Sequence, residues 1–183
     1  MGKNAEGQEQ REKKARIDQE WIYNGPYVKL RRDVIFENDR PPKTWEIIVH
    51  PGAVAVLPIN KDGNIVLIEQ WRRSTNRILI EIPAGLFEPG ESAAECAQRE
   101  LQEEIGYRAR TIKPLGGIFV APGLSSEYVH LFVGTDLEES RLQADDSDLI
   151  DLKIVTPKAA KQMIEDGTIC DAKTITAILR YFS

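Results

Sequence analysis

Apolar residues in the first half of the chain occur in short runs of strand length. The run "GAVAVLPI" is almost continuously apolar, which is typical of a central strand buried on both faces. An Asp-Gly turn in "NKDGN" separates it from "NIVLIEQW", which this turn favours as a hairpin partner. "RILIEIP" predicts another strand. The chain therefore builds the middle of a sheet from neighbouring segments.

A helical pattern appears after residue 90. "AAECAQRELQEEI" predicts a helix that Ser92 caps, with Glu95 completing a capping box and Gly106 ending it. The later segments predict three strands and then two helices: "TIKPLGGIFV", "YVHLFVGTDL", "LKIVT", "PKAAKQMIEDG" and "DAKTITAILRYF". Short turns join most of these elements. The order predicts an α+β fold, an α/β/α sandwich with a mixed β-sheet between helices.

The N-terminal quarter has a different character. Residues 1–17 are polar and charged and predict a disordered tail. Residues 18–48 predict antiparallel strands, and residues 49–183 predict the main domain. The N-terminus lacks the apolar core of a signal peptide, and no apolar run approaches the ~20 residues of a spanning helix. We therefore expect a cytoplasmic protein that does not enter the membrane.

Composition limits the partners of the protein. The chain has 183 residues, of which 29% are charged, with a net charge of -5. One well-buried core is expected at this length, and there is no basic surplus for nonspecific nucleic-acid binding. Cys96 and Cys170 are too few for a disulfide framework and are predicted to be free thiols.

Three glutamates on the predicted helix lie close together. Glu100, Glu103 and Glu104 are spaced to share one face within a turn, where like charges cost a few tenths of a kcal/mol per pair. A divalent cation would offset this repulsion, and carboxylate oxygens suit Mg²⁺ or Mn²⁺. Arg99 is spaced to orient a carboxylate, and Glu91 to anchor the preceding loop. A solvated acidic face is the alternative interpretation.

The spacing of this segment favours the metal site. Gly85 is followed after five residues by Glu91, and after seven more by "RELQEEIGY", which begins at Arg99. This resembles the signature box of the Nudix hydrolases, G-x5-E-x7-R-E-U-x-E-E-x-G-U, where U is bulky and apolar. All nine specified positions agree, through Gly106 and Tyr107. The resemblance implies the Nudix fold and hydrolysis of a nucleoside diphosphate linked to another group.

The same resemblance implies roles for the residues of the box. The family usually takes metal ligands from the positions of Glu100 and Glu104, with Glu103 as a third ligand or as the base. Gly85, Glu91, Arg99 and Gly106 would be structural positions of the box.

Outside the box, residues 20–182 resemble the ADP-ribose pyrophosphatase branch of the family. The segments that carry this are "HPGAVAVLPI", "IEQWR", "EIPAGLFEPGE" and "APGLSSEYVHLFV". The resemblance implies that the backbone carbonyl of Ala84 binds metal and that Arg72 contacts the substrate phosphates. Pro122 is placed as in ADP-ribose hydrolases, although a turn proline explains it equally well.

The general base and the base-stacking residue are less defined. The acidic loop "ADDSDLID" falls where related enzymes keep a catalytic glutamate, so Asp146 and Asp148 are candidates; Glu127 is another. Tyr27 is the preferred residue for stacking on the nucleobase, although most strand aromatics are simply core. By resemblance, a homodimer forms through the N-terminal strands.

These observations predict a Mg²⁺-dependent pyrophosphohydrolase of nucleoside diphosphate sugars. ADP-ribose is the leading substrate, and other sugars such as GDP-mannose remain open. Two alternatives stand beside it. One is a Nudix hydrolase of dinucleoside polyphosphates or nucleoside triphosphates, and the other is a domain that senses ADP-ribose without cleaving it.

Overall fold

The computed structural model describes residues 3–38, 40–143 and 149–183. The chain divides into two compact units. The first comprises Met1–His50 with Ala121–Glu127, and the second comprises Pro51–Val120 with Tyr128–Ser183. The predicted boundary near residue 49 lies close to this division, but the segment Ala121–Glu127 belongs to the first unit.

The first unit contains one helix and a three-stranded antiparallel sheet. The elements are α1 (Lys3–Glu12), β1 (Arg16–Asn24), β2 (Lys29–Phe36) and β3 (Lys43–Ile48), and the strand order is β1-β2-β3. One face of the sheet carries ion pairs, from Arg32 to Glu20 and to Glu46. The opposite face carries Ile17, Trp21, Ile35 and Trp45, which alternate with those charged positions, together with the ion pair between Arg31 and Asp33.

The structure differs from the sequence prediction at the N-terminus. A disordered tail is predicted for residues 1–17, whereas α1 occupies Lys3–Glu12 and β1 already begins at Arg16. Local pairs one helical turn apart support α1: Gln8 donates to Glu12 at 2.8 Å, and Lys13 donates to Glu9 at 2.6 Å. Low hydrophobicity predicted disorder, but such pairs stabilise a helix without burying apolar surface.

The second unit is built on two sheets. Its strands are β4 (Ala53–Pro58), β5 (Ile65–Arg72), β6 (Arg77–Glu81), β7 (Ala84–Leu86), β8 (Tyr107–Phe119), β9 (Tyr128–Glu139) and β10 (Ile150–Val155). One sheet has the order β7-β4-β9-β8 and the other β10-β5-β6. Strands β4 and β9 pair in parallel and the other pairs are antiparallel, so the predicted mixed sheet is present.

Helices cover both faces of β4. They are α2 (Ala93–Glu100), which continues as a π-helical turn at Leu101–Ile105, α3 (Pro157–Glu165) and α4 (Ala172–Tyr181). Every residue of β4 is buried. Val54 and Val56 pack in one cluster with Ala97 and Leu101, and the alternate residues of β4 pack in a second cluster with residues of α3 and α4. The predicted α/β/α layering follows from this alternation.

The starts of α3 and α4 are defined by side-chain caps. The side chains of Thr156 and Asp171 accept hydrogen bonds from backbone N–H groups in the first turns of α3 and α4, and Pro157 occupies the first turn of α3.

Within the described ranges, none of the helices combines the length and the apolar character that crossing a membrane requires.

Candidate active site

Strand β7 lies directly against a carboxylate of α2. Gly85 pairs with Val54 of β4, and a Cβ built on Gly85 would lie only 2.0 Å from Glu100 Oε1. Real Cβ atoms do not approach an oxygen so closely, so only glycine allows this contact. Gly85 therefore fixes the distance between the strand and the helix that carries the acidic residues.

The start of α2 is fixed by a reciprocal cap. The hydroxyl of Ser92 accepts from the Glu95 N–H at 3.3 Å, and the Glu95 carboxylate accepts from the Ser92 N–H at 2.9 Å. This is the capping box that the sequence predicts, and it satisfies two backbone donors at the helix start. The helix thus begins at a defined residue, which sets the direction in which its later carboxylates project.

Arg99 holds the carboxylates of the site together. Its Nη1 donates to Glu100 Oε1 at 2.6 Å and to Glu103 Oε2 at 2.8 Å, and its Nε donates to Glu91 Oε1 at 2.9 Å. Its Nη2 donates to the carbonyl of Leu86 at 2.8 Å. The planar guanidinium therefore joins the loop before α2 to the acidic face of the helix.

The last turn of the acidic helix is wider than the sequence predicts. A continuous α-helix is expected to Ile105, but α2 ends at Glu100 and Leu101–Ile105 form a π-helical turn. The Gly106 N–H donates to the Leu101 carbonyl, and Gly106 adopts a left-handed conformation with φ of 75°. The wider turn changes the direction of Glu103 and Glu104 relative to Glu100. Such turns occur frequently at functional sites.

Burial opposes ionisation of two of these glutamates. Burial raises the pKa of Glu100, while the adjacent Arg99 partly offsets that rise. Burial raises the pKa of Glu104 to about 8; the Ala84 N–H, which donates to Glu104 Oε2 at 2.9 Å, opposes this rise, and the charge of Glu100 adds to it. These carboxylates repel one another in a partly dry environment, and a cation would relieve that repulsion.

Two further cations lie near this cluster, at the ends of other elements. Arg72, at the end of β5, donates through Nε and Nη2 to the two oxygens of Glu81 at 2.7 and 2.8 Å. Lys173, in the first turn of α4, forms an ion pair with Glu81 and another with Asp171 at 3.0 Å. The charges of Arg72 and Lys173 both lower the pKa of Glu104, so they act on the acidic cluster.

The donor atoms suit a hard divalent cation. In the described ranges, no group of three or more acidic, histidine or cysteine side chains is already gathered around one point. Glu100 and Glu103 each direct one oxygen at Arg99, and Glu104 directs one at Ala84. Oxygen donors with surplus negative charge are the ligands that Mg²⁺ and Mn²⁺ prefer, so the residues fit such an ion.

Comparison with known proteins identifies the fold and the motif together. Residues 49–177 match the family model described as the NUDIX domain. This span includes the acidic helix, the Gly85 strand, Arg72 and Lys173. The chain belongs to the NUDIX family.

Individual relatives cover most of the chain. An ADP-ribose pyrophosphatase of Bacillus subtilis is 36% identical over 165 residues, which cover 88% of this chain and 89% of that protein. A methanol dehydrogenase activator of Bacillus methanolicus is 38% identical over 164 residues, with the same coverage. A crystal structure of an ADP compounds hydrolase superposes with a TM-score of 0.83 at 23% identity, covering 92% of both chains, which shows a shared fold.

These findings confirm the predicted Nudix family and the predicted α+β fold. They also confirm the enzyme class predicted with the family, a Nudix-type pyrophosphohydrolase.

Two of the predicted site residues belong to the first unit, and two lie outside the described residues. Tyr27 lies in the turn between β1 and β2 of the first unit, and its side chain is 92% exposed. Glu127 also belongs to the first unit, where its Oε1 lies 3.9 Å from His50 Nε2. Asp146 and Asp148 lie outside the described residues. The roles predicted for these four residues stay predictions.

Sequence reasoning missed Glu81 and Lys173. Glu81 ends the run "RILIE" and is 1% exposed, and Lys173 lies 92 residues further along the chain. A charged residue embedded in an apolar strand was the available signal, because such a charge must find a partner when it is buried. Nothing in the sequence identifies that partner.

Proposed function

We propose that this Nudix protein hydrolyses the pyrophosphate bond of a nucleoside diphosphate sugar, with ADP-ribose as the leading substrate. The products would be a nucleoside monophosphate and a sugar phosphate. The observation that carries the proposal is the acidic cluster beside Gly85, in which Arg99 binds Glu100 and Glu103 and the Ala84 N–H binds Glu104. GDP-mannose and other nucleotide sugars remain within the proposal.

Four groups would hold the metal ion in this proposal. They are the carboxylates of Glu100, Glu103 and Glu104 and the backbone carbonyl of Ala84. Mg²⁺ is the proposed ion and Mn²⁺ a substitute; when bound, the ion neutralises phosphate oxygens and makes a bound water more acidic. The surplus of carboxylates and the burial of Glu100, whose side chain is 8% exposed, support this assignment.

The side chains of the protein would bind and orient the substrate and accept a proton. Arg72 would donate to a phosphate oxygen, since a guanidinium matches phosphate geometry. Water adds to one phosphorus, the bridging P–O bond breaks, and the proton released from water passes to a carboxylate. The candidates for that base remain Glu103, Glu127, Asp146 and Asp148. Tyr27 remains the proposed stacking residue for the nucleobase.

The carboxylates around Arg99 also help to choose between hydrolysis and the sensing alternative. A domain that only sensed ADP-ribose would have no need of three carboxylates held around one guanidinium, and this chain keeps all of them. The relatives named as an ADP-ribose pyrophosphatase and as a methanol dehydrogenase activator are nearly equally similar, so percentage identity does not choose between those roles. The site chemistry supports hydrolysis.

A homodimer through the first unit is part of the proposal. Ile17, Trp21 and Trp45 are exposed on one face of its sheet. Large aromatic side chains grouped on one exposed face favour contact with another protein surface. A second copy of the chain is the partner that the family resemblance implies.

A substrate panel tests the reaction. Purified protein with Mg²⁺ would receive ADP-ribose, GDP-mannose, other nucleotide sugars, diadenosine polyphosphates and nucleoside triphosphates, and phosphate would be measured after phosphatase coupling. We expect the fastest turnover with a nucleotide sugar and a loss of roughly a hundredfold or more in Glu104→Gln. Glu69→Gln, which removes a carboxylate that pairs with Lys153, serves as the control and should stay near wild type.

The panel also separates the alternatives. A preference for triphosphates or dinucleoside polyphosphates would contradict the proposed substrate class while leaving the metal chemistry intact. Tight binding of ADP-ribose without turnover of any compound would favour the sensing domain. EDTA should abolish turnover and added Mg²⁺ or Mn²⁺ should restore it.

A further inference from the structure

Glu81 is a buried carboxylate between two cations. Its side chain is 2% exposed, and Arg72 and Lys173 both bind it. Burying a charge without partners is strongly unfavourable, so the two cations must offset the cost of burying the Glu81 carboxylate. Glu81 ends β6, and Ala84, whose N–H binds Glu104, begins the next strand three residues later. The ion cluster therefore lies one short turn of chain from the metal-site residues.

The hydrogen bonds of Arg72 to Glu81 engage one edge of its guanidinium. Its side-chain hydrogen bonds to Glu81 use Nε and Nη2, which form the side-on edge of the group. The side chain is 35% exposed, although its carboxylate partner is buried. A guanidinium held by one edge can present its other edge, Nη1 with Nη2, to two oxygens of a phosphate.

Helix α4 fixes the carboxylate that holds Arg72. Lys173 and Arg72 Nη2 share the same oxygen of Glu81, Oε2. The hydroxyl of the fully buried Thr174 accepts from the Ile82 N–H at 2.9 Å, which ties the residue after Glu81 to the first turn of α4. Asp171 caps that turn and also pairs with Lys173. The position of Arg72 thus depends on the end of a distant helix.

We propose that Glu81 and Lys173 are positioning residues for substrate binding. Glu81 holds Arg72 by its Nε–Nη2 edge so that the opposite edge binds the diphosphate of the substrate, and Lys173 fixes the orientation of Glu81. This inference rests on the proposed function, because it assigns Arg72 to the substrate. It assigns Glu81 and Lys173 no contact with the substrate and no part in the metal site.

A double-mutant cycle in steady-state kinetics tests the inference. KM and kcat for ADP-ribose would be measured at saturating Mg²⁺ for Arg72→Ala, Glu81→Gln, Lys173→Met and the two double variants that contain Arg72→Ala. We expect KM to rise about thirtyfold in Arg72→Ala, about tenfold in Glu81→Gln and about threefold in Lys173→Met. The kcat values should change by less than about threefold.

The double variants carry the decisive comparison. If Glu81 and Lys173 act through Arg72, neither substitution should raise KM by more than about twofold once Arg72 is alanine. A merely structural role would give additive effects, because the damage would not depend on Arg72. Glu69→Gln is the matched control: Glu69 lies on the same strand as Arg72 and pairs with Lys153, and its KM should stay at the wild-type value.

Failure of the inference differs from failure of the proposed function. Additive effects, or an unchanged KM in Arg72→Ala, would overturn the positioning role while the wild type still hydrolysed ADP-ribose in a Glu104-dependent way. A wild type that hydrolyses no compound of the panel would overturn the proposed function, and the substrate role of Arg72 with it. If Glu81→Gln does not fold, Lys173→Met with and without Arg72→Ala gives the same comparison.

Discussion

A single guanidinium, that of Arg99, contacts three carboxylates and a backbone carbonyl. Its side chain is mostly buried, and its partners come from the loop before α2, from α2 and from the π turn. Lysine has one compact ammonium group and could not reach these oxygens in one plane. The residue that sets the geometry of the acidic cluster is therefore a neighbour of the proposed metal ligands and not a ligand itself.

The close approach of Gly85 to Glu100 gives a prediction at this scale. Gly85→Ala places a methyl group only 2.0 Å from Glu100 Oε1, so the carboxylate must move. A displacement of about 1 Å in an active-site group can cost a hundredfold in rate, and we expect kcat to fall by roughly that factor. Steady-state kinetics with the best substrate of the panel, together with the circular dichroism spectrum, would measure the effect.

Gly7→Ala is the control for this substitution. Gly7 lies in α1, where the nearest atom to an added Cβ is the flexible tip of Arg11 at 3.3 Å. Its kcat should equal that of the wild type. A folded Gly85→Ala protein with wild-type kcat would show that Glu100 does not need the position seen in the structure.

At the scale of elements, local signals predicted regular structure well. The continuous apolar run gave β4, and the Ser92–Glu95 cap gave the start of α2. The π turn at Leu101–Ile105 was not predictable, because "LQEEI" suits an ordinary α-helix by propensity. Helix α1 was missed for a related reason: composition measures what a segment can bury, not the local pairs it can form.

Part of the candidate site could be predicted from local sequence and part could not. One short segment contains Gly85, Glu91, Arg99 and the three glutamates. Their spacing in the sequence therefore predicts how they lie in space. The partnership of Glu81 with Lys173 spans 92 residues and depends on how α4 packs against the end of β6. Sequence spacing carries no information about such a contact without the fold.

The link between β6 and α4 predicts a pH dependence of stability. Burial opposes ionisation of Glu81, but Arg72 and Lys173 outweigh it and hold the pKa below its ordinary value of 4.5. A carboxyl with a lowered folded pKa stabilises the protein above its unfolded pKa, and this contribution disappears as pH falls through the folded pKa. The stabilisation should therefore be complete at pH 7 and decline below about pH 4.5.

Urea unfolding of Glu81→Gln at pH 7, 5 and 3.5 would measure this contribution. At pH 7 we expect the variant to lose roughly 3 kcal/mol of unfolding free energy, because two cations lose a buried partner. The difference from wild type should shrink at pH 3.5. A difference that stayed constant across this range would contradict the assigned ionisation of Glu81. Glu69→Gln, with a partly exposed ion pair, should lose less than about 1 kcal/mol at any of these values.

At the scale of the whole molecule, the sheet of the first unit has two unlike faces. One carries the ion pairs of Arg32, and the other exposes Ile17, Trp21 and Trp45. A polar face suits water, whereas exposed tryptophans favour a protein partner. The sequence indicated strands here but not which side chains would share a face, because the alternation of "YVKLRRDVIF" is irregular.

The proposed homodimer predicts the mass of the particle in solution. Size-exclusion chromatography with light scattering should give about twice the chain mass of 20.6 kDa for the wild type. Trp21→Glu replaces an exposed tryptophan of the proposed interface with a charge and should shift the particle to the monomer mass. Thr44→Glu, on the opposite face beside Trp45, should leave the dimer intact. A monomeric wild type, or a dimeric Trp21→Glu, would exclude this interface.

Because of the π turn at the end of α2, the directions of the site carboxylates depend on the number of residues in the Nudix box. A π turn accommodates one more residue than an α turn between the same two ends. Deleting one residue from Leu101–Ile105 would let the segment form an ordinary α-helix, with better local geometry, yet it would change the direction of every carboxylate beyond the deletion. A substitution alters one side chain, whereas an insertion or deletion changes the direction of every side chain that follows it. The box should therefore tolerate exchanges of residue type at its unspecified positions, but neither insertion nor deletion between Arg99 and Gly106.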